Sequence, residues 1–438
     1  MHWAIILLIL IGSLIVLMAT GFPVAFCFLA INVVGAIVLW GWGPGLEQLA
    51  LTMFQSVSTF VFLPIAMFIF LGTIVFHSGM ALRAIDVIDA WMGRLPGRLG
   101  LLAVLASTLF STLSGSTVAT TAMLGEALTP EMERRGYKRS MSIGPIMGSG
   151  GLAMLIPPSS MAITWAAVAE VSVGRILLSG FIPGLIIAFL YATYIVGRCW
   201  LQPSIAPAYN VTPIQLSKKL AVTLKYVLPL AIIVFSVTGV IIIGVATPSE
   251  AAALGGLSAV ILASIYGKLS WDLIKHALRD TLKTTVMILL IISTSKGFGQ
   301  ILAFTGATRE LVELSVAIPL SPILVVAVMM LVLLFMGTFM AALPQMMITL
   351  PIFLPVIKLL GFDPVWFGLL FLLNIEMDQS TPPFGLLLFV MKGVAPKGTT
   401  MGEIWRAGIP FLACDAICMV LIMCFPVLAL WLPNLIIG

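Results

Sequence analysis

Charge is what this chain has least of. Only 9% of its 438 residues are Asp, Glu, Lys or Arg, against roughly a quarter in a soluble domain. With 61% hydrophobic residues and a mean hydropathy of +1.18, a water-soluble fold would expose large apolar patches, so its solvent is mostly lipid. The net charge of +5 comes without a basic run interleaved with aromatics. That argues against nucleic-acid binding and fits basic cytoplasmic loops. Histidine is scarce: His2, His77 and His276, none beside a Ser/Asp or Cys partner in a catalytic pattern. The cysteines, Cys27, Cys199, Cys414, Cys418 and Cys424, are scattered or lie within apolar helices. Cys414 and Cys418 share a helix face, but no second Cys or His pair completes a metal site. An intramembrane enzyme would need a nucleophile–base pair or metal ligands at membrane depth, and neither is visible. Met1-His-Trp3 leads directly into apolar Ala4–Met18 without a positive leader or a small-residue cleavage site, which reads as a first membrane segment and not a removed signal.

Against this background two stretches stand out. Leu155-Ile-Pro-Pro-Ser159 and Ser380-Thr-Pro-Pro-Phe-Gly385 hold the only Pro-Pro pairs, each inside an apolar run. Gly136-Tyr137 precedes the first by 21 positions, and Gly361-Phe362 precedes the second by 21. Upstream of each lie two short apolar legs around a small, hydroxyl-bearing knot: 99–113 and 117–131 around Ser114-Gly-Ser116, then 323–336 and 343–357 around Gly337-Thr338. A leg of about 15 residues reaches roughly 22 Å, short of the ~30 Å hydrocarbon core. Each pair of legs therefore predicts a re-entrant hairpin with its tip near the midplane, and each Pro-Pro pair predicts a helix broken at membrane depth.

The rest of the chain reads as scaffold. Apolar legs are expected at 3–20 and 22–40, an interfacial turn at Trp40-Gly-Trp-Gly-Pro-Gly45, and a long run over 49–77 tilted or kinked at Pro64. Residues 80–95 predict an amphipathic interfacial arm, with 268–283 as its counterpart before a span at 284–304. Further spans are expected at 176–197, 226–244 and 251–266, and the polar stretch Gln202–Lys225 separates two halves. Glu250, after the Thr247-Pro248 turn, is expected as a first-turn helix charge.

The first hairpin is flanked by Arg94, Arg98, Arg134, Arg135, Lys138 and Arg139. The second has Glu310, Glu313 and Asp363, with only Arg309 and Lys358 opposing them. Opposite bias on like elements implies inverted topology, with the first hairpin opening to the cytoplasm. Inverted repeats with discontinuous helices are the sequence pointer to a secondary-transporter site. Backbone groups freed at such breaks need a partner: carbonyl ends suit Na⁺, and helix N-termini suit anions. Three ionisable residues lie in apolar runs near these elements. Asp378 is a candidate cation ligand or cap, Glu376 accompanies it, and Lys296 meets a substrate anion, pairs with an acid or snorkels.

These segments together resemble the large membrane (M) subunit of tripartite ATP-independent periplasmic (TRAP) transporters. The resemblance is carried by Ser114-Gly-Ser116, Gly136-Tyr137, Ile156-Pro-Pro-Ser159, Ser179-Gly-Phe-Ile-Pro-Gly184, Ala246-Thr-Pro-Ser-Glu-Ala-Ala-Ala-Leu254 and Thr381-Pro-Pro-Phe-Gly385, and it covers essentially the whole chain. It implies an all-α polytopic membrane protein of the inner membrane, an inverted-repeat elevator of ion-transporter-superfamily kind. Its function would be Na⁺-driven import of a small organic anion, a carboxylate or sulfonate, without ATP. It also implies a separate four-helix small subunit and a periplasmic binding protein. The expected division is 1–95 scaffold and arm, 96–200 first transport repeat, 201–310 linker and scaffold, and 311–438 second transport repeat. Sodium is expected at Ser114, Gly115, Ser116, Pro157, Gly337, Thr338, Asp378, Thr381 and Pro382, and substrate at Ser159, Ser160, Pro383, Gly385 and Lys296. A stand-alone Na⁺/dicarboxylate-type symporter is the rival, and an assembly or receptor subunit gives no reason for two opposed hairpins.

Overall fold

The computed structural model describes residues 3–93, 95–114, 116–207, 215–317 and 319–437. The described chain is helical throughout, and seven helices are long and apolar enough to cross a membrane. The repeat is more complete than the motifs indicate. Pro382-Pro383 follows Pro157-Pro158 by 225 positions, and nearly every helix of the first half recurs at about that displacement. Val24–Trp40 recurs as Pro248–Ile265, and Arg98–Ser114 with Thr117–Arg134 as Pro322–Gly337 with Ala342–Leu359. The broken helix Arg139–Gly150/Ser160–Ala169 recurs as Pro364–Ser380/Leu386–Val394, and Phe181–Leu201 as Met401–Cys424.

Two ion pairs fix the relative direction of the broken helices. Arg139, at the start of the first, meets Glu403 at 2.7 Å, so the Met401–Cys424 helix begins at that end. Beyond the far end of the first, Arg175 meets Asp363 at 3.2 Å, beside the start of the second. The first broken helix thus ends where the second begins, and the two run antiparallel.

Three expectations are corrected. The run 49–77 is two helices, Trp42–Val57 and a short 3₁₀ turn leading into Leu63–His77, because the chain opens at Ser58-Thr59 where Ser and Thr follow a helix end. The turn at Trp40–Gly45 shrinks to Gly41, whose φ of +83° a side chain would resist, and the next helix starts at Trp42. Residues 268–283 are no separate arm. They are the first half of one 34-residue helix, Trp271–Phe304, which matches Trp42–Val57 and Leu63–His77 fused. The true counterpart of the arm Met80–Trp91 is Ala307–Ala317, which directly precedes the second hairpin. Its short amphipathic pattern escapes notice between two strongly apolar segments.

The linker helix Leu216–Tyr226 lies on the first arm through Trp91 Nε1 donating to Thr223 at 2.8 Å and Arg83 donating to Tyr226 at 2.9 Å. Glu250 completes a capping box with Thr247 and so acts as a helix-start charge. The first break is longer than its prolines require. The helix ends at Gly150, and a 3₁₀ turn covers Gly151–Met154. Adjacent glycines, weak helix formers, release the chain there. The second broken helix instead runs unbroken to Ser380.

Candidate substrate and ion site at the hairpin tips

Two hairpins and two breaks converge on one cavity of about 700 Å³. Four helices begin at its wall. Their first residues are Thr117 in the first hairpin, Ser160 after the first break, Ala342 in the second hairpin and Leu386 after the second break. Each helix start carries the positive end of its helix dipole. Ser116 caps the first of these by accepting from Ala119 N at 3.3 Å. The wall also contains Gly337 and Thr338, where the second hairpin's first leg ends in carbonyls. Two further helices, Leu63–His77 and Trp271–Phe304, close the cavity with Phe68, Thr73 and His77 from one and Asp280, Thr284 and Met287 from the other. His77 and Asp280, 3.7 Å apart, are half-exposed and are the ionisable residues among those lining it.

Of the expected site residues, Ser116, Ser160, Gly337 and Thr338 reach this cavity. Ser114 is the last residue of its helical leg, and Gly115 lies outside the described residues. Pro158, rather than Pro157, forms the wall. Ser159 is buried. Its hydroxyl donates to Met154 O at 2.8 Å and accepts from Ala162 N, so it caps the distal half-helix. Thr381 donates to Met377 O at 2.7 Å. Pro382, Pro383 and Gly385 form the turn at the second break, where Gly385 packs so close to the Gln379 carbonyl that a Cβ would lie 2.5 Å from it. Lys296 is not at the cavity: its Nζ contacts Glu170 at 2.7 Å and the Val168 carbonyl at 3.2 Å. That hydrogen bond and the lysine's charge hold the Glu170 carboxyl below the usual carboxylate range.

Asp378 is buried against the second hairpin tip. A Cβ on Gly337 would lie 2.0 Å from its Oδ2. Neither carboxylate oxygen has a hydrogen-bond partner of good geometry, nor does Oε1 of Gln345; the Gln345 amide beside the carboxylate donates to Leu333 O at 2.7 Å. These are acceptor oxygens without donors, the composition of a hard-cation site. One contributor, Gln345, was missed from sequence, and the bond that Thr117 makes was not foreseen. Gln345 sits in an apolar hairpin leg, where a lone amide is the available signal. Thr117 Oγ1 donates to Gln379 Oε1 at 2.8 Å and ties the first hairpin tip to the second break across 262 positions. Nothing local to either residue signals that bond.

This geometry defines a class: an all-helical, multi-pass membrane protein built from two antiparallel repeats, each with a re-entrant hairpin and a broken helix. Comparison with known proteins narrows it. Residues 11–428 match the family model described as the tripartite ATP-independent periplasmic transporter, DctM component, and the chain belongs to that family. It is similar to the C4-dicarboxylate TRAP transporter large permease protein DctM of Pseudomonas aeruginosa, with 32% identity over 91% of this chain and 92% of that one. It is also similar to the sialic acid TRAP transporter large permease protein SiaM of Vibrio cholerae, with 28% identity over 96% and 97%. Among solved structures, the Alcanivorax borkumensis YdaH transporter shares the fold, with a TM-score of 0.64 and 15% identity over 90% of each chain.

Proposed function

We propose that this chain is the permease of a Na⁺-coupled importer of small organic anions in the bacterial inner membrane. The observation that carries this is the convergence of four helix starts on one cavity within an apolar fold. The positive dipole ends of helices that start at a cavity wall recognise a carboxylate or sulfonate without a fixed cation. Na⁺ is assigned to the carbonyl and carboxylate side of the same elements: Ser114–Ser116, the first break at Pro157, Gly337-Thr338, Asp378 and the turn Thr381-Pro382. Ser159, Ser160, Pro383 and Gly385 shape the anion end. The hairpins and broken helices move as one body against the scaffold in an elevator step. A separate small membrane subunit and a periplasmic binding protein complete the system.

The test is uptake into proteoliposomes that contain the chain, a candidate small subunit and a candidate binding protein. A panel of C4-dicarboxylate, sugar acid and sulfonate is offered under an imposed Na⁺ gradient. Accumulation of one anion class that needs both Na⁺ and binding protein is expected. Uptake that ignores the binding protein would instead identify a stand-alone symporter, and uptake indifferent to Na⁺ would overturn the coupling.

A further inference from the structure

The cavity has two unlike walls. The hairpins and breaks form one, with its four helix starts, and the helices Leu63–His77 and Trp271–Phe304 form the other. His77 meets Asp280 at 3.7 Å, so the end of the first helix lies beside the early part of the second. This second wall is graded. Phe68 and Ile69 line it roughly 13 Å of helix away from His77, and Met287 and Ile288 line it roughly 11 Å from Asp280. Polar side chains gather at the other end, where Thr73 and Thr284 join His77 and Asp280. The Phe76 ring packs edge-on against His77, with centroids 5.2 Å apart. Asp280 is the acid of this wall, and its side chain is 53% exposed. At 3.7 Å it is in ionic contact with His77 but beyond hydrogen-bond reach, so its oxygens stay open to a ligand. Arg279 and Lys283, the cations nearest to it along the helix, do not line the cavity.

Chemistry bounds the charge of this wall. With the imidazole protonated the His77–Asp280 pair is neutral, and with it unprotonated the pair carries one negative charge. In neither state is the wall net positive. A ligand that rests one acid group on the helix starts extends its other atoms toward this wall. A second carboxylate there would face Asp280, and any charge on His77 is already opposed by that acid. A hydroxyl there meets an open carboxylate, and hydrogen bonds to a charged acceptor are the stronger kind. We propose that Asp280, flanked by His77, is a specificity-determining residue that selects a hydroxyl-bearing monoanion and rejects a dicarboxylate, through repulsion as much as attraction. This selection rests on the anion-permease reading and names the substrate class of that same cavity.

The test is titration calorimetry on the purified full chain and on Asp280→Asn, in sodium-containing buffer at neutral pH. No binding protein is added, so its own selectivity does not enter. Two pairs of acids, matched in carbon number, serve as probes: 4-hydroxybutyrate against succinate, and gluconate against glucarate. In each pair the second acid carries a carboxylate where the first has a terminal hydroxyl. The native chain should bind the hydroxy acid about tenfold tighter or more, the ordinary value of a hydrogen bond to a charged group. In Asp280→Asn, which keeps the shape and removes the charge, that ratio should fall toward one. Dianions that bind the native chain as tightly as their hydroxy partners, or a ratio unmoved by Asp280→Asn, would overturn the selection and leave an anion permease of other specificity. Binding of none of the four acids overturns the anion-site reading, and the selection with it. Should Asp280→Asn not fold, butyrate on the native chain decides: 4-hydroxybutyrate must bind tighter than both butyrate and succinate, and parity with butyrate defeats the proposal.

Discussion

Gly337 and Asp378 offer a direct way to separate packing from ion binding. A methyl group at Gly337 would lie 2.0 Å from Asp378 Oδ2 and 2.3 Å from its Cγ. Asp378 sits on a buried helix and cannot retreat freely. Gly337→Ala should therefore destabilise by about 1–3 kcal/mol, the ordinary cost of overpacking. Asp378→Ala removes the obstruction together with a buried carboxylate that has no donor, so on its own it should leave stability unchanged or raise it. In the double variant the Gly337→Ala penalty should vanish, giving a coupling energy of about the size of that penalty. Transport behaves differently: Asp378→Ala and the double variant should both lose Na⁺ stimulation, because restored packing does not restore the oxygens. The assays are thermal melting in detergent and Na⁺-dependent uptake in vesicles, run on all four proteins. Additive melting shifts would refute the steric account. Normal Na⁺ stimulation in Asp378→Ala would refute the cation assignment.

Thr117→Val should cost about 1–3 kcal/mol, since it leaves buried Gln379 Oε1 without its donor, and it should impair uptake more than a surface change of equal melting shift. Lys296→Met should cost less than about 1 kcal/mol, because its partner Glu170 is 79% exposed and screened. The pair's small contribution is present above the ordinary carboxylate range, is lost on acidification through the lowered Glu170 value, and should fade in high salt. A large rise in KM for uptake by Lys296→Met at neutral pH would return Lys296 to the substrate path.

The sequence alone determined the architecture because its signals are local and repeated. Low charge set the solvent, short apolar legs around Ser114–Ser116 and Gly337-Thr338 set the hairpins, and the Pro-Pro pairs set the breaks. Even the arm Ala307–Ala317 was legible in principle at the displacement of 225, and was hidden only by its weak pattern beside the long Trp271–Phe304 helix. What the tertiary structure decided is which polar atoms meet. Whether Asp378 faces Gly337 while Glu376 faces Gly151 depends on the rotation of one almost wholly buried helix, and an apolar sequence on all sides carries no moment to set it. Thr117 with Gln379, Gln345 with Asp378 and Tyr191 with Asp415 are joined by packing between distant segments. Lys296 shows the same limit from the other side. Its charge marks it as noteworthy in any apolar run, but the turn that presents Glu170 to it is what draws it away from the cavity.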